Sequence, residues 1–292
     1  MFRTPDFRAG RLRAILFRLL AVLLLVPPAL GAQEDLSSDT LSRFEIGTIT
    51  FEGNSFLPDG TLAGFIQSRE SPSGLSQFMH GTFWGAFGSP AEIFDPLTLE
   101  RDVDVLSDLY KTRGFYNATI GAGYSADTAQ RTVSIRFDII EGPRSFIDTL
   151  IYGGIDSLSG ELKSRIFGGA LFKQGDPYEA DVVSSEIVRV INLLQNSGYP
   201  SSRFDYEAGG AFRYTSTNNF EIRLVFETGR LYRFGEITVK VEPPRDDITD
   251  DLTLRHLDFK PGDLYSRDLR VTSERNLNRL DLFEAARVDQ ES

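Results

Sequence analysis

Two histidines, His80 and His256, and no cysteine at all narrow the chemistry open to this chain. Transition-metal sites are built from clustered His and Cys, so the sequence assigns no metal, and the missing thiols rule out disulfides. Serines and aspartates abound, but neither histidine sits in a recognisable triad setting and no Gly-x-Ser-x-Gly elbow occurs. Glu141 and Glu227 each close an alternating run just before a turn, where a carboxylate serves structure. Gly121-Ala-Gly123 lacks the rest of a dinucleotide fingerprint, and no phosphate-cradling loop is present, so no cofactor is expected. Catalytic residues are assigned to no position. The remaining enzymatic alternative, an exported hydrolase, would require a catalytic cluster that the sequence does not display.

Charge and the chain's first residues set the compartment. Arg3, Arg8, Arg11, Arg13 and Arg18 precede the wholly apolar run Leu19 to Val26, which Pro27 and Pro28 end before Ala29-Leu30-Gly31-Ala32. This is the order of a signal peptide, here placed over residues 1–32. A membrane anchor is the alternative, but the run is short against the roughly 20 residues that span a bilayer. The whole chain carries a net charge of −11, and loss of the arginine-rich start would make it more acidic still. An acidic chain with no later basic run repels phosphates, so nucleic acid is excluded as a partner.

The rest of the chain repeats. Phe172-Lys-Gln-Gly-Asp-Pro-Tyr178 and Phe259-Lys-Pro-Gly-Asp-Leu-Tyr265 share five of seven residues at an offset of 87. At the same offset Ile147-Asp-Thr-Leu-Ile-Tyr152 falls on Phe234-Gly-Glu-Ile-Thr-Val239, both readable as an opening strand. A fainter copy starts with Ile46-Gly-Thr-Ile-Thr-Phe51, has Phe94-Asp-Pro-Leu97 in place of the Gly-Asp turn, and reaches Gly114-Phe-Tyr116. It is longer: Ile46 to Asp95 spans 49 positions, against 29 from Ile147 to Asp176.

Within each copy the periods differ. Leu99, Val103, Leu106 and Tyr110 form one helical stripe, and Val183, Ile187, Val190 and Leu194 form a second, each followed by a glycine suited to a left-handed cap. Leu269, Ser273, Leu277 and Leu280 form a weaker stripe after Ser266, a good N-cap. Val133, Ile135, Phe137 and Ile139 alternate as a strand with one buried face, as do Phe220, Ile222, Leu224 and Phe226. Short helices are expected near 59–67, 159–167 and 249–257. The order is β-α-α-β-β, an α+β fold in which two helices cover one face of a small sheet. The expected division is a polar leader over 33–43 and modules over 44–143, 145–230 and 232–292. The first has an extra loop at about 70–93, and the third is truncated before its closing strands.

Several motifs together resemble POTRA (polypeptide-transport-associated) domains of outer-membrane assembly factors of the BamA and TamA type. They are Ile49-Thr-Phe-Glu-Gly-Asn54, Tyr110-Lys-Thr-Arg-Gly-Phe-Tyr116, Ile140-Glu-Gly-Pro143, Gly175-Asp-Pro-Tyr178 and Gly262-Asp-Leu-Tyr265. The stretch Leu280-Asp-Leu-Phe283 with Ala286-Arg-Val288 is similar to the module nearest the membrane β-barrel, which itself is absent here. The resemblance implies a non-enzymatic scaffold on the periplasmic side of the outer membrane. Its partners would be unfolded outer-membrane protein clients, periplasmic chaperones or assembly lipoproteins, and the barrel. Membrane-anchored cell-division proteins and two-partner secretion transporters that use the same module are the related alternatives.

Two stretches stand out as partner-binding candidates. The alternating last strand of each module belongs in the sheet centre, which leaves the preceding strand at an edge where an extended chain can add. In the first module that strand is Ala118-Thr119-Ile120-Gly121-Ala122-Gly123-Tyr124-Ser125, whose outward Thr119, Gly121, Gly123 and Ser125 are small and uncharged. The counterpart Phe204 to Ala208 places Asp205 and Glu207 outward, as charges that discourage pairing. A bulge at Gly121 and Gly123 is the competing reading. The second stretch is the extra loop, which concentrates Phe78, Phe83, Trp84 and Phe87 for a partner or lipid, unless they fold back on their own module.

Overall fold

The computed structural model describes residues 41, 43–72, 90–214, 216–242, 248–280 and 285–289. The expected signal peptide and most of the polar leader, like Phe78, Phe83, Trp84 and Phe87, lie outside the described residues.

The fold is α+β, with two sheets each backed by helices. In the first unit β1 (Glu45–Glu52) runs parallel to β3 (Thr132–Ile140), and β2 (Thr119–Asp127) pairs antiparallel on its other side. The central place falls to β3 because Val133, Ile135, Phe137 and Ile139 are buried on one face. Helix α1 (Asp59–Phe65) and helix α2 (Pro96–Thr112) cover that face with Leu62, Leu99, Leu106, Leu109 and Tyr110. The Asp95 carboxylate starts α2 by accepting the Leu97 and Thr98 amides at 3.2 and 3.1 Å, with Pro96 as first helical residue.

The second unit repeats this arrangement. Its strand β4 (Ile147–Gly153) runs parallel to β7 (Phe220–Glu227), while β5 (Arg203–Phe204) and β6 (Gly210–Arg213) pair antiparallel with β7. Helices α3 (Gly160–Gly168) and α4 (Ala180–Gln195) close a separate core. Two further helices, α5 (Asp250–Leu254) and α6 (Arg267–Asn278), follow, and Ser266 caps α6 by accepting the Leu269 amide.

The repeat recurs bond for bond. Tyr178 N–H donates to Ser145 O and Ile147 N–H to Asp176 O; 87 residues later Tyr265 donates to Tyr232 O and Phe234 to Asp263 O. In the first unit Phe94 donates to Phe44 O and Ile46 to Glu92 O. The counterpart of Asp176 is therefore Glu92 and not Asp95. Ile46 to Glu92 spans 46 positions against 29 from Ile147 to Asp176, so the insertion is 17 residues.

Two expected strands are corrected. Phe204 to Ala208 is not one strand: Asp205 Oδ1 accepts the amides of Glu207 and Ala208, and this local turn interrupts the edge between β5 and β6. Phe234 to Val239 forms no strand; the isolated bridge Arg233 to Leu264 stands just before it. Its Phe234, Ile237 and Val239 are half-buried, with the same three-residue step from Phe234 to Ile237 that separates Ile46 from Ile49 and Ile147 from Leu150. Among the described residues no strand lies beside Gly235 to Val239 to supply the ladder, and a cavity of about 620 Å³ opens there instead.

Candidate functional site

The β2 edge is set by its pairing. Thr119 to Asp127 meets Ile140 to Thr132 residue by residue without a register shift, so Gly121 and Gly123 mark no bulge. Ile120 turns into the core and Tyr124 packs on Phe94 at 4.8 Å, while Ala118 is half-buried. Thr119, Gly121 and Ser125 are exposed on the open face and Gly123 is partly so; Ala122, on the same face as Ile120 and Tyr124, is exposed as well. Among the described residues nothing pairs with the outer side of β2. Alternate backbone N–H and C=O groups of an edge strand then point into solvent.

The first half of the opposite edge is closed by the protein itself. Ser71 donates its amide to Ile46 O at 2.7 Å, Ile46 donates to Glu92 O at 2.8 Å, and Glu70 Oε1 accepts the Ile49 amide at 2.7 Å. In the second unit Gly175 and Asp176 close the start of β4 in the same way. The free edge there is shortened by the Asp205 turn, a break in the backbone where the sequence had suggested a charge barrier.

Glu141, Glu227 and His256 have structural partners. Glu141 Oε1 accepts the Phe56 amide at 2.8 Å and the Tyr110 hydroxyl at 3.0 Å, and Glu227 pairs with Arg203. Burial, reinforced by the Glu141 carboxylate, pushes the Tyr110 phenol well above its usual range. Nδ1 of His256 lies 2.8 Å from Leu252 O, and His80 is outside the described residues. Among the described residues no three His, Asp or Glu side chains converge as metal ligands, and no helix is long and apolar enough to cross a membrane.

Sequence reasoning missed a buried acid in each of the long helices α2 and α4. Asp102 accepts the Gln67 and Ser68 amides at 2.6 and 3.0 Å, tying the end of α1 to α2. Glu186, at the equivalent place in α4, accepts the Leu171 amide, the Tyr152 hydroxyl and the Arg189 guanidinium. In α6 Ser273 takes this place by accepting the Asp258 amide. The available signal was a carboxylate inside an otherwise apolar helical stripe.

Residues 44–142 match the POTRA family model, described as surface antigen variable number repeat. The first unit is a POTRA domain. Several solved structures are similar to the chain at low identity. POTRA domains 3–5 of Haemophilus influenzae BamA share 16% identity over 83% of this chain and 87% of that one, at a TM-score of 0.44. The N-terminal domain of Omp85 from Thermosynechococcus elongatus shares 18% over 85% and 90%, at 0.35. CdiB from Escherichia coli shares 12% over 80% and 37%, at 0.28. No curated protein matches the chain.

Proposed function

We propose that the chain is a periplasmic polypeptide-binding scaffold of an outer-membrane protein assembly or translocation machine. It holds extended clients by strand addition at β2 of the POTRA domain and performs no covalent chemistry. The exported start over 1–32 and the division into modules at 44–143, 145–230 and 232–292 belong to the same reading. A barrel, unfolded outer-membrane clients and chaperones or assembly lipoproteins are its partners.

The observation that carries the reading is the asymmetry of the first sheet. The protein's own loops occupy the first half of β1, at Ile46 and Ile49, whereas β2 offers nine residues in regular register beside small uncharged side chains. Main-chain pairing at such an edge is tolerant of client sequence, as a general client scaffold requires.

Gly121→Lys combined with Gly123→Lys tests it. A Cβ at Gly123 meets nothing within 4 Å and one at Gly121 lies 3.9 Å from Asp138 O, so the sheet accommodates both side chains. Two lysines should blunt the edge and lower photo-cross-linking of an unfolded outer-membrane client to β2, with the circular dichroism spectrum unchanged. Undiminished cross-linking would reject β2 as the docking edge.

A further inference from the structure

The long helices of successive units meet end to end, and the two joints are built from different chemistry. Both share a backbone frame. Ser145 donates to Gly114 O at 2.8 Å and accepts from Tyr178 at 3.0 Å, while Tyr232 donates to Gly198 O at 2.7 Å and accepts from Tyr265 at 3.1 Å. The two glycines have φ of +90° and +97°, and a Cβ on either would lie 2.6 Å from the following unit, at Tyr178 O or at the Leu231 side chain. Each helix therefore stops at a glycine against which the following unit is seated.

Side chains then separate the joints. Where the C-terminus of α2 meets the N-terminus of α4, Arg144 Nη2 lies 2.7 Å from Glu179 Oε1 and Arg113 Nη1 lies 3.3 Å from Glu179 Oε2. Arg113 also approaches Asp181 at 3.6 Å. Arg144 donates through Nε to Arg113 O and lies 4.6 Å from the centroid of the Phe56 ring. Arg113 at the end of α2 and Arg144 in the link between the units thus converge on two anions in the opening turn of α4, which the positive end of that helix also stabilises.

Where α4 meets α6 the contact runs through amides. Asn196 Oδ1 accepts the Asp268 amide at 2.8 Å and the Ser266 hydroxyl at 3.0 Å, and Asn196 Nδ2 donates to Asp268 Oδ2 at 2.8 Å. Arg267 donates to the neutral Gln195 amide at 3.1 Å. The residue ending one helix caps the start of the next, and among the described residues no cation–anion pair crosses the joint.

We infer that the α2–α4 joint is an electrostatic lock that ionic strength loosens, whereas the α4–α6 joint is an amide splice indifferent to salt. The charged groups of the first joint are each at least one-fifth exposed, so dissolved ions reach them. At about 1 M salt the screening length shrinks to about 3 Å, comparable with the contacts themselves. Hydrogen bonds to neutral amides carry no such dependence. The proposal concerns the chain's internal geometry and stands whether or not β2 is the client edge.

The absence of cysteine makes the full chain suitable for paired spin labels. Ser125→Cys with Ser164→Cys reports the first joint, and Ser164→Cys with Arg275→Cys reports the second. At low salt each pair should give one narrow distance peak. High salt or Glu179→Gln should broaden the first and spare the second; Asn196→Ala should broaden the second and spare the first. Circular dichroism verifies that each variant keeps its helices, and a variant that loses them is replaced by the salt titration of the unaltered chain. A first joint that ignores both salt and Glu179→Gln, or two joints that respond alike to salt, would overturn the proposal.

Discussion

At Glu186 a carboxylate lies fully buried within α4, and it is stable there because every approach to it carries a donor. Burying an unpaired carboxylate would be prohibitive; this one is compensated by a guanidinium, a phenol and a backbone amide. Glu186→Ala strands all three donors beneath α3 and should cost about 2–4 kcal/mol, read from the denaturant midpoint. A loss within the scatter of surface substitutions would show that water enters and replaces the carboxylate. Tyr152, which donates to Glu186, is one of three phenols raised above the usual range, with Tyr110 and Tyr178, in each case chiefly by burial. The folded chain keeps these protons at a pH where the unfolded chain has released them. Stability is therefore fully present below the ordinary phenol value near 10 and declines as pH rises above it, by about 1.4 kcal/mol per unit for each tyrosine. A denaturant midpoint that stays flat from about pH 9 to about pH 11, beyond loss shared with Tyr→Phe variants, would contradict this coupling.

The elements show why some of the fold was legible and some was not. Alternation at Val133 to Ile139 and Phe220 to Phe226 identified both central strands, since a two-residue period needs only local sequence. The glycines after α2 and α4 and the cap at Ser266 were equally local. The opening strands hid a further rule. Ile46 and Ile49 are three apart and cannot both face inward on a regular strand, yet Ile46 is buried and Ile49 packs against the same core. A register shift at Gly47 reconciles them, and β4 has the same shift between Ile147 and Thr149, which brings Ile147 and Leu150 to one side. The spacing was visible in the sequence; the partner strand that absorbs the extra residue was not. The Asp205 turn was missed for the opposite reason: alternation suggested a strand, but a nearby side chain captured the amides first. As for the candidate site, the sequence located β2 at an edge and named its residues. It gave no sign that Glu70, Ser71 and Glu92 close the first half of the competing edge, because those bonds join residues far apart in the chain.

Across the whole molecule the question is whether the repeating units fold as one body or as a string. Their cores are separate sets of side chains: Phe137, Leu106 and Tyr110 belong to one, Ile222, Leu194 and Ile166 to the other. Tyr116, just past the Gly114 cap, crosses over to pack on Phe220 at 5.0 Å and Tyr178 at 5.9 Å. Against two full cores, one bridging tyrosine, the backbone hydrogen bonds at Ser145 and a partly solvated ion cluster form a thin connection, too thin to make the units rise and fall together in stability. Phe137→Ala should therefore act on one unit. It empties a fully buried site in β3 and should cost about 3–5 kcal/mol, enough to expose the amides of β2 and β3 to hydrogen exchange. The amides of β7 at Ile222, Leu224 and Phe226 should keep their protection, because none of their packing passes through Phe137. Were β7 to lose protection in step with β3, the joint would be transmitting most of the stability of the chain. The ion cluster at Glu179 would then be part of a single cooperative core, and the division into independently folding modules would fall.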